Sequence, residues 1–299
     1  MAIASYDSIE DGIRGCFGED IKITGRSYVS GGDINDAFCL HLSDGTDVFV
    51  KSNTIENIDF FNAEVKGLNA IASTGAIGTP KLICMGTDRP TGAAFLMMEM
   101  IPRCPMVKGF FSVFGRELAK MHMADTKEFV PGGKFGFVSD NYIGASKQKN
   151  TPKDNWIDFF RECRLKPQFE MAGRYFDHGQ VKQINTLLDH LDRILTEPQV
   201  PSLLHGDLWS GNFITGKDGK AWLIDPAVYV GHAEADLAMT ELFGRLPEEF
   251  YKDYMSVYPI QPGYRDRKDL YNLYHLLNHL NLFGSSYLSS VLGIVKRYS

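Results

Sequence analysis

Short apolar or alternating runs dominate the first hundred residues of the chain. Such runs are typical of buried and half-buried strands, and they predict five strands, at 21–30, 37–42, 47–51, 81–85 and 94–100. Between the third and fourth strands, apolar residues recur every three or four positions and predict one main helix at 58–72. We therefore expect a small β-rich lobe with a single main helix.

After Pro102 the pattern changes to helical periodicity. It predicts helices at 110–124, 156–171, 181–195, 237–242 and 270–295, the last with breaks. Short β-like runs interrupt them at 202–205, 213–215 and 222–224 and predict a small hairpin, whereas 129–152 is expected to be a long ordered loop. The pattern thus predicts an α+β fold with two lobes, 1–101 and a larger, mostly helical 102–299.

The composition is that of an ordinary globular protein, and the net charge limits the classes of partner to be expected. The net charge of -6 argues against nucleic acid or an anionic membrane as the main partner, because both select basic surfaces. No apolar run approaches the roughly 20 residues that span a bilayer, and the acidic start of the chain differs from a signal peptide. The five cysteines are scattered without a CxxC pair, so free thiols and a cytoplasmic location are expected.

The strongest chemical signal is LLHGDLWSGNFI at 203–214, taken with WLIDPA at 222–227. Phosphoryl transfer to a hydroxyl needs a carboxylate beside that hydroxyl and oxygen ligands for magnesium. Asp207 follows an apolar run, and Asp225 ends a following strand. Asn212 lies on the same loop as Asp207, which can turn back so that the amide oxygen of Asn212 becomes a ligand near Asp207. An ordinary surface turn would also contain Asp and Asn, but it would not explain why each acid directly follows an apolar strand. These residues predict a magnesium-dependent kinase site.

The same residues carry a resemblance to a known superfamily. HGDxxxxN, followed by a strand-ending Asp, resembles the catalytic and metal-binding loops of protein-kinase-like enzymes, and Gly in place of Arg marks their small-molecule branch. Four longer stretches are similar to the fructosamine kinase family: DNWIDFFRECRLKPQ, HGDLWSGN, DPAVYVGHAEADLAMTELFG and NLYHLLNHLNLFG. The resemblance implies a bilobal protein-kinase-like fold that binds ATP between its lobes. It also implies that Asp207 is the catalytic carboxylate and that Asn212 and Asp225 bind Mg²⁺.

The first lobe would then contribute a lysine to the phosphates of ATP. Lys51 lies on a predicted strand, like the phosphate-binding lysine of kinases, and Glu64 on the following helix would hold its ammonium group. A strand lysine that reaches back to solvent is the alternative for Lys51. A solvent-facing helix charge is the alternative for Glu64, because Glu56 also lies nearby.

Two further segments are candidates for nucleotide contact. In the turn of Ser30, Gly31 and Gly32, backbone amides can approach a phosphate, although an ordinary hairpin turn explains the glycines equally well. By the resemblance, Glu99 and Met100 at the end of the first lobe would offer backbone groups to the edge of adenine.

Substrate contacts are assigned to four residues of the second lobe. Trp209 lies two residues after Asp207 and is expected either to stack on a sugar face or to pack within the lobe. Asp154, Trp156 and Arg161 lie on or before a helix in one of the family-like stretches, and pairing with nearby acids is the structural alternative for Arg161.

Two other pairs of residues in this lobe are interpreted as supporting residues. Glu234 or Asp236 is expected to hold the catalytic loop through hydrogen bonds. His275 and His279 have the HxxxH spacing of a zinc helix, but no glutamate lies between them and no third ligand is in view. They are interpreted as hydrogen-bonded core histidines.

The function implied by the resemblance is ATP-dependent phosphorylation of a ketosamine, either a fructosamine or a ribulosamine, free or attached to a protein. Phosphorylation of the sugar 3-hydroxyl would make the adduct labile, as in deglycation. An aminoglycoside- or choline-type phosphotransferase is the alternative within the superfamily. A pseudokinase that only binds its ligands is the alternative from another class, and the presence of Lys51, Asp207, Asn212 and Asp225 argues against it.

Overall fold

A computed structural model of the chain describes residues 3–29 and 35–299. The first lobe is built on a six-stranded sheet of order β1-β5-β6-β4-β3-β2. Its strands are β1 (Ala4–Tyr6), β2 (Ile23–Tyr28), β3 (Asp36–Leu42), β4 (Asp47–Thr54), β5 (Leu82–Asp88) and β6 (Ala93–Glu99). The five predicted strands are present with shifted ends, and β1 is an addition. Its three residues are a strand because they pair in parallel with β5.

Two helices cover opposite faces of this sheet, α1 (Ile9–Phe17) and α2 (Ile58–Ser73). On β4, Val48 and Val50 point to the α1 side, where they share a core with Ile13. Because successive side chains of a strand point to opposite faces, Lys51 points to the α2 side. The main helix was predicted at α2, whereas α1 was not predicted.

The second lobe is mostly helical. Its helices are α3 (Phe110–His122), α4 (Trp156–Phe160), α5 (Lys166–Met171), α6 (His178–Asp189), α7 (Glu234–Leu242), α8 (Glu248–Val257), α9 (Tyr264–Phe283) and α10 (Leu288–Tyr298). A π-helical segment, Arg161–Leu165, joins α4 to α5, so these elements form the one helix predicted there. Each predicted helix has a counterpart in the structure, and α8 is an addition. Among the described residues, no helix is both long enough and apolar enough to cross a membrane.

Short strands of the second lobe position the loops between them. They are β7 (Asn141–Ile143), β8 (Ser146–Gln148), β9 (Ser202–Leu204), β10 (Phe213–Thr215), β11 (Ala221–Leu223) and β12 (Tyr229–Gly231). β10 and β11 form the predicted hairpin, and β9 pairs with β12. The predicted 129–152 loop contains the β7–β8 hairpin, so its description as a loop was incomplete.

The chain passes between the lobes shortly after β6. The backbone N–H of Cys104 donates to the carbonyl of Thr215 in β10 at 2.9 Å, so the chain already bonds to the second lobe there. The division into 1–101 and 102–299 remains a prediction.

Candidate active site

Lys51 lies between the two lobes and contacts a carboxylate on each side. Its Nζ donates to Glu64 Oε1 on α2 at 2.6 Å and to Asp225 Oδ1 after β11. Glu64 reaches it because Phe61, Val65 and Leu68 turn the same face of α2 toward the sheet. Burial alone lowers the pKa of an ammonium, but the carboxylates of Asp225 and Glu64 outweigh that effect and raise the pKa of Lys51. Lys51 is therefore a buried, permanently charged cation.

Asp207 follows β9 and is held by a side chain of its own loop. The Asn212 amide nitrogen donates to the Asp207 backbone carbonyl at 2.8 Å and to its carboxylate at 3.0 Å. Burial raises the pKa of Asp207 to about 7, although the hydrogen bond from Asn212 opposes this shift. The site thus holds a fixed carboxylate that titrates near neutrality.

Asp225 has the most unusual backbone of the site. Among described residues other than glycine, only Asp225 has a positive φ, of 54°. This left-handed conformation is uncommon outside glycine, and such outliers cluster at functional sites. The β10–β11 register also brings Ile224 beside Asn212, with a backbone hydrogen bond of 3.0 Å. Asp225 and Asn212 therefore lie at the same end of the hairpin.

His205 and Gly206 connect the catalytic loop to the segment around Asp225. Burial lowers the pKa of His205, so its ring is neutral, and Nε2–H donates to the Ile224 carbonyl at 2.9 Å. Gly206 has a φ of 82°, and a Cβ there would lie 2.0 Å from the Ala227 carbonyl oxygen. Only glycine fits at this crossing of the two segments.

Asp236 on α7 fixes the start of the loop that contains Asp207. Its carboxylate accepts the backbone N–H groups of His205 at 2.7 Å and Gly206 at 2.9 Å. Despite complete burial, the hydrogen bond and charge of His122 help to lower the pKa of Asp236. Of the two candidates for this role, Asp236 occupies it, whereas Glu234 pairs with Arg267 at 2.6 Å.

The β7–β8 hairpin supports the segment that follows Asp225. The Asn141 amide donates to the Val228 carbonyl at 2.7 Å, and the Gln148 amide donates to the Ala227 carbonyl at 2.9 Å. Both side chains are buried. This role could not be predicted from the sequence, because an Asn or Gln in a long loop gives no sign of the distant carbonyl that it will bond.

His275 on α9 lies beside the carboxylate of Asp207. Its Nδ1 is buried without a hydrogen-bond partner and lies 3.9 Å from Asp207 Oδ1. Burial lowers the pKa of His275 to about 3, so the ring is neutral. The sequence predicted a hydrogen-bonded core histidine here, whereas its position near Asp207 was not predicted.

Two of the residues predicted to contact the substrate have structural surroundings instead. Trp156 is fully buried against aromatic rings that include Phe160 and Tyr271. It has no surface to offer a substrate, so we withdraw Trp156 from the substrate contacts. Arg161 is held by the Leu188 carbonyl at 2.8 Å and by Asp158 at 2.6 Å, which is the structural alternative for this residue.

The remaining residues that were predicted to contact the substrate or the nucleotide differ in exposure and in their existing bonds. Trp209 is 39% exposed, and its indole lies over Gly211 beside Phe243. Asp154 is exposed before α4. The backbone N–H of Glu99 already donates to Lys81 at 2.8 Å, so it is not available to a nucleotide, and Met100 is the first residue after β6. The Ser30, Gly31 and Gly32 turn lies outside the described residues.

The sequence is similar to proteins of one family along its whole length. The sequence model described as fructosamine kinase matches residues 5–299. The chain is 40% identical to a probable ketoamine kinase of Synechocystis sp., covering 98% of this chain and 97% of that protein. It is 41% identical to the chloroplastic protein-ribulosamine 3-kinase of Oryza sativa subsp. indica, covering 94% of this chain and 80% of that protein.

Solved structures of similar fold agree with the sequence comparison. A crystal structure of a putative fructosamine-3-kinase from Haemophilus somnus has a TM-score of 0.84 at 28% identity, covering 97% of this chain and 96% of that chain. The streptomycin–ATP–APH(2″)-IIa ternary complex has a TM-score of 0.60 at 13% identity, covering 97% and 95%. The two lobes thus form a protein-kinase-like phosphotransferase fold, as predicted.

Proposed function

The chain belongs to the fructosamine kinase family and is an ATP-dependent kinase, and from this premise we propose that its acceptor is a ketosamine. The ketosamine would be a fructosamine or a ribulosamine, free or attached to a protein lysine. The observation that carries this proposal is the position of Asp207. It lies two residues before the partly exposed Trp209, on a loop that His205 bonds to the segment of Asp225, the residue that pairs with Lys51.

ATP would bind between the lobes, with Lys51 and the Ser30, Gly31 and Gly32 turn at its phosphates. The segment of Glu99 and Met100 would contact adenine, with the N–H of Glu99 excluded. An ATP complex is known for a phosphotransferase of the same fold. Glu64 would keep the Lys51 ammonium in place through its 2.6 Å contact.

The residues at the end of the β10–β11 hairpin fit Mg²⁺. Asn212 uses its amide nitrogen on Asp207, so Oδ1 is the atom that it can offer, and the Asp225 carboxylate is 40% exposed. Both are hard oxygen donors, which Mg²⁺ prefers. When bound, Mg²⁺ supplies positive charge that stabilises the phosphates during transfer.

Asp207 would orient the sugar hydroxyl and accept its proton late in the transfer, because the transition state is loose and positioning dominates. Trp209 would stack on the sugar face, and the exposed Asp154 stays a candidate for substrate contact. We assign the 3-hydroxyl as the acceptor, so the product would be the labile adduct that leads to deglycation. The name of the rice relative, a protein-ribulosamine 3-kinase, supports this position.

The partner and the location follow from the same proposal. A glycated amine or protein is the expected partner, and the net charge of -6 weighs against nucleic acid or an anionic membrane. All five cysteines are free thiols, as a reducing compartment would keep them. We therefore assign the protein to the cytoplasm.

The test is ATP consumption by the purified chain against a panel of acceptors: a free fructosamine, a free ribulosamine, a ribose-glycated protein, an aminoglycoside and choline. We expect turnover with the ketosamines only, and dependence on Mg²⁺. The phosphorylated position is read by NMR of the product. Release of the free amine from the phosphorylated protein measures deglycation.

The outcomes separate the parts of the proposal. Turnover only with the aminoglycoside or with choline would overturn the acceptor and leave the kinase in place. A ketosamine product phosphorylated elsewhere than on the 3-hydroxyl would overturn the position alone. Magnesium-dependent nucleotide binding without turnover on any acceptor would favour the pseudokinase alternative.

A further inference from the structure

Cys39, His41 and Asp47 form a cluster on the first lobe that the kinase mechanism does not use. Cys39 and His41 are two positions apart on β3 and share one face of the sheet, and the β3–β4 register places Asp47 directly opposite His41. Their sulfur, nitrogen and oxygen atoms all lie within 4.8 Å of one another. Among the described residues, no other three His, Cys, Asp or Glu side chains are gathered in this way.

The distances within the cluster are close to those of a zinc site. His41 Nδ1 lies 2.7 Å from Asp47 Oδ1 and 4.0 Å from Cys39 Sγ. In a tetrahedral site, bond lengths of about 2.3 Å to sulfur and about 2.0–2.2 Å to nitrogen and oxygen separate the ligand atoms by about 3.4–3.6 Å. To reach this geometry, the nitrogen–oxygen distance would lengthen by about 0.7 Å and the nitrogen–sulfur distance would shorten by about 0.4 Å, which rotation of these side chains allows.

From this geometry, we infer that Cys39, His41 and Asp47 bind a zinc ion, with the fourth position open to water. A thiolate, an imidazole nitrogen and a carboxylate are the donors that zinc takes, whereas Mg²⁺ takes oxygen donors alone. A redox or nucleophilic role for Cys39 fits less well, because burial raises the pKa of its thiol. A bound cation would displace that proton and use the thiolate.

The cluster is accessible and has a supporting contact. The side chains of His41 and Asp47 are 43% and 52% exposed, so an ion can enter from solvent. The Ser27 hydroxyl on β2 lies 3.0 Å from His41 Nε2. When Nδ1 is a ligand, Nε2 carries the proton and donates to Ser27, which fixes the ring as outer contacts do at histidine metal sites.

The zinc ion would fasten three strands together. Cys39 and His41 belong to β3, Asp47 to β4, and Ser27 reaches the site from β2, which is the edge strand of the sheet. An ion that binds the folded chain and not the unfolded chain also stabilises the folded state. The bound ion would therefore stabilise the edge of the sheet in the first lobe. The zinc inference does not depend on which acceptor the kinase uses.

The test is a titration of the metal-free full chain with Co²⁺, followed by competition with Zn²⁺. We expect one equivalent of Co²⁺, a thiolate-to-cobalt charge-transfer band in the near ultraviolet and full displacement by Zn²⁺. Excess Mg²⁺ should not displace it. Cys39→Ser should remove the charge-transfer band, and Asp47→Asn should weaken binding at least as much as loss of an outer contact does, by about tenfold or more. Ser27→Ala should weaken it by about 10- to 100-fold, as loss of an outer contact does.

Matched controls keep the result specific to this cluster. Cys16→Ser and Cys104→Ser remove thiols elsewhere, so both variants should retain the band and the affinity. If Cys39→Ser does not fold, Asp47→Asn still decides, because Asp47 is exposed. Zinc should also raise the melting temperature of the wild type and not that of Asp47→Asn. A band that persists in Cys39→Ser, or an affinity unchanged in Asp47→Asn, would overturn the inference.

Discussion

At the scale of single residues, Asp207 is set up to exchange a proton near neutral pH. Burial raises its pKa to about 7, and the Asn212 amide fixes one carboxylate oxygen at 3.0 Å. A catalytic group with a pKa near the working pH is ionised often enough to act and basic enough to accept a proton. The same carboxylate is thus both positioned and tuned.

Replacement of Asp207 by Asn should remove proton acceptance and keep the shape of the side chain. We expect kcat to fall by about 10²- to 10⁴-fold, with little change in KM for ATP, because the proposed mechanism places Asp207 at the acceptor hydroxyl and not at the nucleotide. Steady-state kinetics with the preferred ketosamine give both constants. Asp192→Asn, at an exposed position, is the matched control and should behave as wild type. Near-normal turnover in Asp207→Asn would contradict the assignment.

Single residues also show what a sequence can and cannot predict. Asp207, Asn212 and Asp225 were predicted from their positions around short apolar runs, and Lys51 and Glu64 from the resemblance to kinases. The structure brings all five together. The exposure of a tryptophan depends on which distant rings pack against it, so Trp156 was misplaced. The proximity of His275 to Asp207 depends on the path of α9, which no local pattern records.

At the scale of elements, one ammonium group joins a strand, a helix and a loop. Lys51 on β4 bonds both to Glu64 on α2 and to Asp225 after β11. The two carboxylates depend on the one cation, whereas the cation has two partners. Loss of the cation should therefore cost more than loss of either carboxylate.

This asymmetry is testable in folding stability. We expect Lys51→Met to cost about 3 kcal/mol or more, because it leaves the buried Glu64 carboxylate without a counter-charge. Glu64→Gln should cost about 1 kcal/mol, because Lys51 keeps Asp225 as a partner. Urea unfolding without nucleotide measures both. Equal losses would show that the two carboxylates do not share the cation.

Gly206 is a second test at this scale, because its crossing with Ala227 joins two segments of the site. Gly206→Ala should cost about 3 kcal/mol or more and abolish turnover, since the new Cβ would lie 2.0 Å from a backbone oxygen at a φ of 82°. Gly109→Ala is the control, with a φ of 78° and no atom within 4 Å of the new Cβ. It should cost only about 1–2 kcal/mol of backbone strain. Similar losses in both variants would mean that the contact is easily relieved.

Some elements could not be predicted for a physical reason. β1 has three residues, too few for a pattern, and exists through its pairing with β5. α8 mixes charged and aromatic residues, and it is stabilised by packing against α3, where the Cβ of an alanine at Gly115 would lie 2.3 Å from the Phe250 carbonyl oxygen. Longer elements with a clear period, such as α2 and β4, were predicted to within a few residues.

At the scale of the whole molecule, buried histidines make folding stability depend on pH. Burial lowers the pKa values of His205, His232, His275 and His279, that of His275 from 6.5 to about 3. The unfolded chain therefore binds more protons than the folded chain as the pH falls below about 6.5. Asp207 and Glu64 act in the opposite sense, because burial raises their pKa values. The four histidines outnumber them, so stability should decline in acid.

The contribution of His275 can be isolated. Stability of the wild type should fall between pH 6 and pH 4, and His275→Gln should make the slope shallower by about 1.4 kcal/mol per pH unit, the value for one proton. Urea unfolding at several pH values measures the slopes. His178→Gln removes an exposed histidine and should leave the slope nearly unchanged. If His275→Gln has the wild-type slope, His275 is not kept neutral by the fold.

The shared ammonium has a consequence for the order in which ligands bind. In the nucleotide-free protein, the single positive charge of Lys51 is shared between the carboxylates of Glu64 and Asp225. Phosphates that attract Lys51 would leave Asp225 uncompensated, and a divalent cation at Asp225 would restore the balance. Each ligand should therefore increase the affinity for the other, by the same factor in both directions, and a typical coupling is about 5- to 150-fold. On the proposed mechanism, the ion pair would thus favour the complex of nucleotide and cation over either ligand alone.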